Sequence, residues 1–231
     1  MSKQLPLLLS VPHAGTWVPP EVRDVCMLTE AQIITDSDEG AAEIYAFENQ
    51  VKHYVTTNVA RVIVDLNRAP DDRRADGVVK THTCWTEPVY HTFPSKETVA
   101  FLLEHYYFPY HNRLTKLAGS SVILGIDCHT MSEIGPPEGP DPGIERPWLC
   151  LSNADGTCPK EWFERMGKAL NEQFEGNVSL NDPFKGGYIT RSHASEMPWI
   201  QMELSRASFM SNTVKRERVL RALMRWVETH E

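Results

Sequence analysis

The segment 121–131 places the strongest constraint on how this chain can fold, because an apolar run leads there into a cluster of polar residues. Residues 122–124 are apolar and mostly β-branched, which predicts a buried strand that ends at Gly125. Asp127 and His129 follow at once. A buried strand that runs into Asp-x-His is typical of the carboxyl edge of an α/β sheet. His129 could there ligate a metal while Asp127 orients its ring, or it could be a hydrogen-bonded residue at a strand end.

Length, charge and cysteine content narrow the class of protein. The chain of 231 residues suffices for one α/β domain, and we expect residues 1–231 to form a single one. A net charge of −8 argues against a nucleic-acid partner, although a local arginine cluster can still bind a small anion. Five irregularly spaced cysteines favour neither a disulfide framework nor a zinc knuckle. With no apolar run of membrane-spanning length and no signal peptide, we expect a cytoplasmic protein that does not contact membranes.

A second histidine follows a second predicted strand. Residues 5–11 are apolar, and His13 comes directly after them with Ala14 and Gly15, whose small size permits a tight turn. Between the two histidines in sequence lie Asp36 and Asp38. One of these carboxylates could cap the following helix, and the other could complete a mixed His/Asp zinc site.

Further polar residues flank other predicted strands. Residues 61–66 are predicted to form a strand with an apolar middle. Arg61 begins this strand, and Asn67 and Arg68 follow it. The two arginines could form a fork for a carboxylate, or they could simply lie on the surface. Gly186 and Gly187 precede a predicted strand that ends at Arg191. Such a pair lets the backbone approach a ligand, but it also occurs in hairpins.

Residues 199–204 alternate in polarity, and Glu203 lies on the polar side just before Arg206. An acid on a strand that is buried on both faces is costly unless it is paired or functional.

The remaining pattern indicates alternating helices and strands. Apolar spacing predicts helices over residues 41–50, 96–118 with a break or kink at Pro109, 160–174 and 215–228. Strands are predicted at 53–57, 148–151 and 178–180. The proline-rich segment 132–147 must be irregular, as a lid or substrate wall often is.

The candidate residues suggest one reaction class. Two histidines and one carboxylate, with the fourth position left for water, are a catalytic zinc arrangement. Zinc polarises a carbonyl and acidifies water. A nearby carboxylate, best Glu203, could take the proton and pass it to a leaving amine, while arginines at positions 61, 68, 191 and 206 hold an anionic substrate.

Seven motifs in order, from residue 10 to residue 206, resemble the N-formylglutamate amidohydrolase family: SVPHAG, TDSDEGA, RVIVDLNR, FPYHNRL, GIDCHTM, GGYITRSH and QMELSR. The resemblance implies a three-layer α/β/α fold with a mixed central sheet, related to zinc carboxypeptidases and aspartoacylase. It also implies hydrolysis of the formamide of N-formyl-L-glutamate to glutamate and formate, a last step in one route of histidine breakdown.

The resemblance also implies roles for individual residues. It places Zn²⁺ on His13, His129 and Asp38, with Asp36 as the alternative carboxylate. Glu203 is the expected general base, and Arg61 is the second catalytic candidate. The expected substrate-binding residues are Asn67, Arg68, Gly187, Arg191 and Arg206.

Three alternatives stay open at this level. Family members commonly have Asp-Trp-His where this chain has Asp38-Glu39-Gly40, so another N-acyl amino acid or a small peptide could be the substrate. A non-catalytic homologue that binds a metal or small ligand is the second alternative. The oligomeric state, monomer or homodimer, is the third. A cysteine hydrolase that uses Cys128 is disfavoured, because adjacent strand residues point to opposite faces.

Overall fold

The computed structural model describes residues 4–119 and 121–229, and its centre is a six-stranded sheet in the order β2-β1-β3-β6-β4-β5. The strands are β1 (Leu5–Val11), β2 (Val51–Thr56), β3 (Leu124–Met131), β4 (Leu149–Ser152), β5 (Val178–Leu180) and β6 (Trp199–Ser205). The α-helices are α1 (Pro20–Arg23), α2 (Glu30–Asp36), α3 (Ala41–Ile44), α4 (Lys96–Leu102), α5 (Phe108–Leu117), α6 (Lys160–Gln173), α7 (Tyr188–Ser192) and α8 (Asn212–Glu228).

The sheet is mixed, as the family resemblance implies. β1 pairs in parallel with β2 and β3, and β3 pairs in parallel with β6. β4 runs antiparallel to β6 and parallel to β5. The carboxyl ends of β1, β3 and β6 therefore meet at one edge of the sheet, where side chains that follow or end these strands come together.

Apolar side chains leave both faces of the sheet, and helices cover both. Leu7 and Leu9 of β1 pack into the core beneath α6 and α8, whereas Leu8 packs on the opposite side with Leu102 and Leu114 of α4 and α5. All residues of β3 and β6 are buried, as expected for central strands covered on both faces. The predicted three-layer α/β/α architecture is confirmed.

The central strand differs from its sequence-based prediction. β3 begins at Leu124 and continues through Asp127 and His129, so His129 lies within the strand and not after it. Gly125 does not end the strand, because the indole ring of Trp199 on β6 lies over it. A Cβ at Gly125 would stand 2.4 Å from Cδ2 of that ring.

Two predicted strands are absent from the described part of the chain. Residues 61–66 form turns, in which the Asp65 carboxylate accepts a hydrogen bond from the Asn67 N–H and so competes with extended pairing. Residues 188–192 form α7, and the Ile189 N–H at its start donates to the Asn67 side chain. The predicted helix over residues 41–50 is only α3, after which turns lead into β2.

The long predicted helix over residues 96–118 is a continuous helical run with an irregular centre. A π-helical segment, Leu103–Tyr107, joins α4 to α5. Pro109 lies in the first turn of α5, and its missing N–H coincides with this widened turn. No helix among the described residues has the length and apolar character needed to cross a membrane.

Gly125→Ala is expected to destabilise the protein by about 1–3 kcal/mol, because the added methyl group overpacks against Trp199. The smaller variant Trp199→Phe should relieve this clash. Urea unfolding of the two single variants and the double variant gives the coupling, and we expect the double variant to lose less than the sum of the two. Strict additivity would contradict the contact.

Candidate active site

A cavity of about 280 Å³ opens at the carboxyl edge of the sheet. His13, His129 and Glu203 line its floor, so the turn after β1 and the strands β3 and β6 each supply one of the predicted site residues. The irregular segment 132–147 and residues 184–187 form its walls, as expected for a substrate wall. The strands are rigid and the walls are loops, which is the usual division in α/β enzymes.

Three buried residues form a potential metal site. One ligand atom each of His13, Asp38 and His129 can be chosen so that all lie within 4.8 Å of one another. Nδ1 of His129 is 2.9 Å from Oδ2 of Asp38, and Nδ1 of His13 is 3.6 Å from the same oxygen. The Asp38 N–H donates to the His13 carbonyl, which fixes the carboxylate next to the first histidine.

Two further aspartates hold the imidazole rings from behind. Nε2 of His13 donates to Asp65 (2.9 Å), and Nε2 of His129 donates to Asp127 (2.8 Å). Both rings therefore present Nδ1 to Asp38. Asp127 was expected in this position, whereas no role was predicted for Asp65, whose only signal is an acid inside an apolar run.

The site fits a metal ion in two respects. Nδ1 of His13 is buried and finds no hydrogen-bond partner among the described residues, as expected for a nitrogen reserved for a ligand. Two imidazole nitrogens and one carboxylate oxygen, with carboxylates behind the rings, form a donor set suited to zinc.

The buried charges support the same conclusion. Arg61 donates to Asp38 (3.1 Å) and Asp65 (3.3 Å), and Lys80 donates to Asp36 (3.1 Å). Asp38 and Asp65 thus contact the same guanidinium group, and a metal ion held by the two histidines would lie among carboxylates that favour positive charge.

The local electrostatics separate the carboxylates into two classes. Burial alone would raise the pKa of Asp38 and Asp65. Neighbouring cations together outweigh it, His13 with His129 at Asp38 and His13 with Arg61 at Asp65, and they hold both pKa values well below the usual range. Burial dominates at Glu203 and raises the pKa of its carboxyl to about 7. A carboxyl with a pKa near neutrality is well matched to proton transfer.

Glu203 lies beside His129 in the sheet. The two residues are partners in the parallel register of β3 and β6, so their side chains leave the same face. Cys128 points to the opposite face and packs in the apolar core, which leaves it outside the cavity. The only described donor to the Glu203 carboxylate is Nε2 of Gln201, at 2.8 Å.

The second candidate carboxylate lies apart from the histidines. Asp36 ends α2 and accepts hydrogen bonds from Lys80 (3.1 Å) and from the Cys84 N–H (3.1 Å). Neither Asp36 nor Asp38 caps the next helix, because Gly40 occupies that position in a left-handed conformation. The geometry favours Asp38 over Asp36 as the ligand.

The arginines are mostly bonded to the protein itself. Arg68 pairs with Asp76 (3.0 Å), so the predicted fork of Arg61 and Arg68 does not form. Arg191 is exposed, donates to the carbonyls of Lys185 and Gly186, and lies outside the cavity lining. Arg206 lines the cavity and uses Nη1 to reach two backbone carbonyls.

Asn67 and Gly187 meet at the cavity wall. Asn67 Nδ2 lies 3.2 Å from Nε2 of His129, while Asn67 Oδ1 accepts from the Ile189 N–H. A Cβ on Gly187 would lie 2.2 Å from Asn67 Nδ2, so this close approach requires glycine. Asn67 thus contacts the metal-site residue His129, and Gly187 packs against Asn67.

Lys80→Met is expected to lower the free energy of unfolding by about 3–5 kcal/mol, since it leaves the buried carboxylate of Asp36 without its cation. No sequence pattern had singled out this lysine. Lys160→Met is the matched control, because the Lys160–Glu164 pair is exposed and should change stability by less than about 0.5 kcal/mol. Equal, small losses in urea unfolding would contradict a buried ion pair.

The sequence model of the family described as N-formylglutamate amidohydrolase matches residues 5–210. N-formylglutamate deformylase from Pseudomonas putida is 29% identical over an alignment 231 positions long, which covers 91% of this chain and 84% of the relative. N-formylglutamate deformylase from Pseudomonas aeruginosa is 28% identical and is covered to 83%.

A crystal structure of N-formylglutamate amidohydrolase from Ralstonia eutropha shares the fold, with a TM-score of 0.79 at 20% identity and coverage of 99% of this chain and 94% of that one. A gene product from Agrobacterium tumefaciens matches with a TM-score of 0.74 at 16% identity, covering 98% and 90%. The family match spans all seven motifs and every residue that lines the cavity. The chain therefore belongs to the N-formylglutamate amidohydrolase family.

Proposed function

We propose that the chain is a zinc-dependent amidohydrolase that cleaves the formamide of N-formyl-L-glutamate to glutamate and formate. The observation that carries the proposal is the buried cluster of His13, Asp38 and His129, with the Glu203 carboxylate beside it. Family membership and the two deformylases that resemble the chain support the choice of substrate.

Different residues of the chain have different roles in the proposed reaction. Zinc held by His13, Asp38 and His129 would supply a Lewis acid that polarises the formamide carbonyl and activates water. Glu203 takes a proton from the attacking water and returns it to the amino-acid nitrogen as the C–N bond breaks. Arg61 donates to Asp38 and to Asp65 and so keeps both carboxylates in place. The first is the proposed metal ligand, and the second holds the His13 ring.

The substrate carboxylates need cations with unused donors. Of the predicted arginines, Arg206 lines the cavity and keeps Nε and Nη2 without a bond to any described residue. Lys185 also lines the cavity, and its ammonium group has no carboxylate partner in the described part of the chain. We place the substrate carboxylates at these two residues, with Arg68, Asn67 and Gly187 shaping the wall and Arg191 acting through its bonds to the loop.

The decisive assay is release of formate from N-formyl-L-glutamate by protein that has been stripped with a chelator and then reloaded with zinc. We expect release only from the reloaded protein, and we expect His129→Ala to bind no zinc, because it removes one ligand nitrogen. A panel of other N-formyl and N-acyl amino acids tests the specificity. Full activity in the stripped protein, or full zinc occupancy in His129→Ala, would refute the metal site.

Glu203→Gln should retain zinc and lose about 10²- to 10⁴-fold in kcat, because it keeps the shape of the side chain and removes the base. The control Glu164→Gln changes an exposed glutamate on α6 and should leave kcat unchanged. Zinc content and kcat are measured on the same samples. A Glu203→Gln variant with wild-type turnover would remove Glu203 from the mechanism.

A further inference from the structure

Gln201 is a buried polar residue that the reaction scheme does not use. It lies on β6 two residues before Glu203 and is 3% exposed. Because residues i and i+2 of a strand share a face, both side chains leave β6 toward the cavity. Its amide group therefore stands beside the proposed base at the floor of the cavity.

The bonds of Gln201 determine which way its amide points. The Gly187 N–H can only donate, so the atom that it meets at 2.5 Å must be the amide oxygen, Oε1. The amide nitrogen, Nε2, then donates to Oε1 of Glu203 at 2.8 Å. The reverse orientation would set two donors against each other at Gly187 and two acceptors against each other at Glu203.

This bond distinguishes the two oxygens of Glu203. Oε1 is occupied by Gln201, whereas Oε2 accepts no hydrogen bond from any residue that the structure describes. Both glutamate oxygens would otherwise be equivalent, since the carboxylate can rotate about its last bond. The bond to Gln201 leaves Oε2 as the oxygen available to the cavity.

The same amide connects the base to the cavity wall. Gly186 and Gly187 line the cavity, and Gly187 is pressed so closely against Asn67 that no side chain fits there. The loop backbone is thereby held in one place, and its N–H fixes Gln201. Loop, amide and carboxylate form one chain of hydrogen bonds from the wall to the floor.

We propose that Gln201 is a positioning residue that holds the Glu203 carboxylate in a single orientation and presents Oε2 to the reacting water. The proposal rests on the proposed function of Glu203. Outer hydrogen bonds that orient catalytic groups commonly contribute 10- to 100-fold to activity.

The first test is a double-mutant cycle on zinc-loaded protein. Gln201→Met keeps the length of the side chain and removes both hydrogen bonds, so kcat should fall by about 10- to 100-fold with KM changed less than about threefold. In a Glu203→Gln background the same change should alter kcat by less than about twofold, because the residue acts only through the base. A full additional loss in that background, or an unchanged kcat in Gln201→Met, would overturn the proposal.

Two further variants separate positioning from general disruption. Gln201→Glu retains an acceptor for the Gly187 N–H but sets a second carboxyl beside Glu203, and two carboxyls so close share one proton. Its kcat should therefore fall at neutral pH and its pH profile should shift to higher pH, which Gln201→Met should not show. Gln50→Met makes the same chemical change at a half-buried glutamine next to β2 and should leave kcat unchanged. Zinc content should stay at the wild-type level in all three variants, and loss of zinc in Gln201→Met would instead indicate a structural role.

Crystal structures of wild type and Gln201→Met test the proposal even if no N-formyl compound is a substrate. The Glu203 carboxylate should adopt a second orientation or shift by about 1 Å in the variant, while His13, Asp38 and His129 keep their places. An unmoved carboxylate would refute the positioning role whatever the activity. A moved carboxylate in a protein that releases no formate would instead place the failure in the proposed substrate.

Discussion

Buried negative charge is the constraint on which the arrangement of this end of the molecule depends. Isolated buried carboxylates are expensive, and a carboxylate stays ionised in the interior only where cations and donors surround it. Asp65 accepts from His13, Arg61 and the Asn67 N–H, and lies 3.6 Å from Lys80. The turns between β2 and α4 bring Arg61, Asn67 and Lys80 to this one carboxylate.

The sequence was sufficient to predict the fold class and most of the candidate site. Apolar runs followed by histidine marked the carboxyl edge of the sheet, and an acid in an alternating strand marked Glu203. The residue pattern alone could not decide between Asp36 and Asp38. That choice depends on the hydrogen bond from the Asp38 N–H to the His13 carbonyl, and these two groups lie on different segments of the chain. The pairing of Lys80 with Asp36 is equally non-local and left no pattern to read.

Two errors in secondary structure have the same physical origin. Residues 61–66 have the apolar character of a strand, but their side chains fill a core made by other elements and their backbone is held in turns by Asp65. Residues 188–192 form a helix because Asn67 accepts the Ile189 N–H at its start. In both cases a polar contact from a distant segment outweighed the local preference. Gly125 was misread for a related reason, since its partner Trp199 lies on another strand.

Because β3 continues through His129, the reacting groups of the cavity lie in the sheet, whereas the walls of the cavity lie in loops. His129 and Glu203 belong to neighbouring central strands about 4.8 Å apart. Exposing them requires opening the middle of the sheet, which is the part of a domain that opens least often. The wall segment 132–147 is irregular and can open locally at a lower free energy. Sequence changes in this segment can therefore reshape the cavity while the spacing of His129 and Glu203 is preserved. The fold thus assigns variation to a loop and constancy to the sheet.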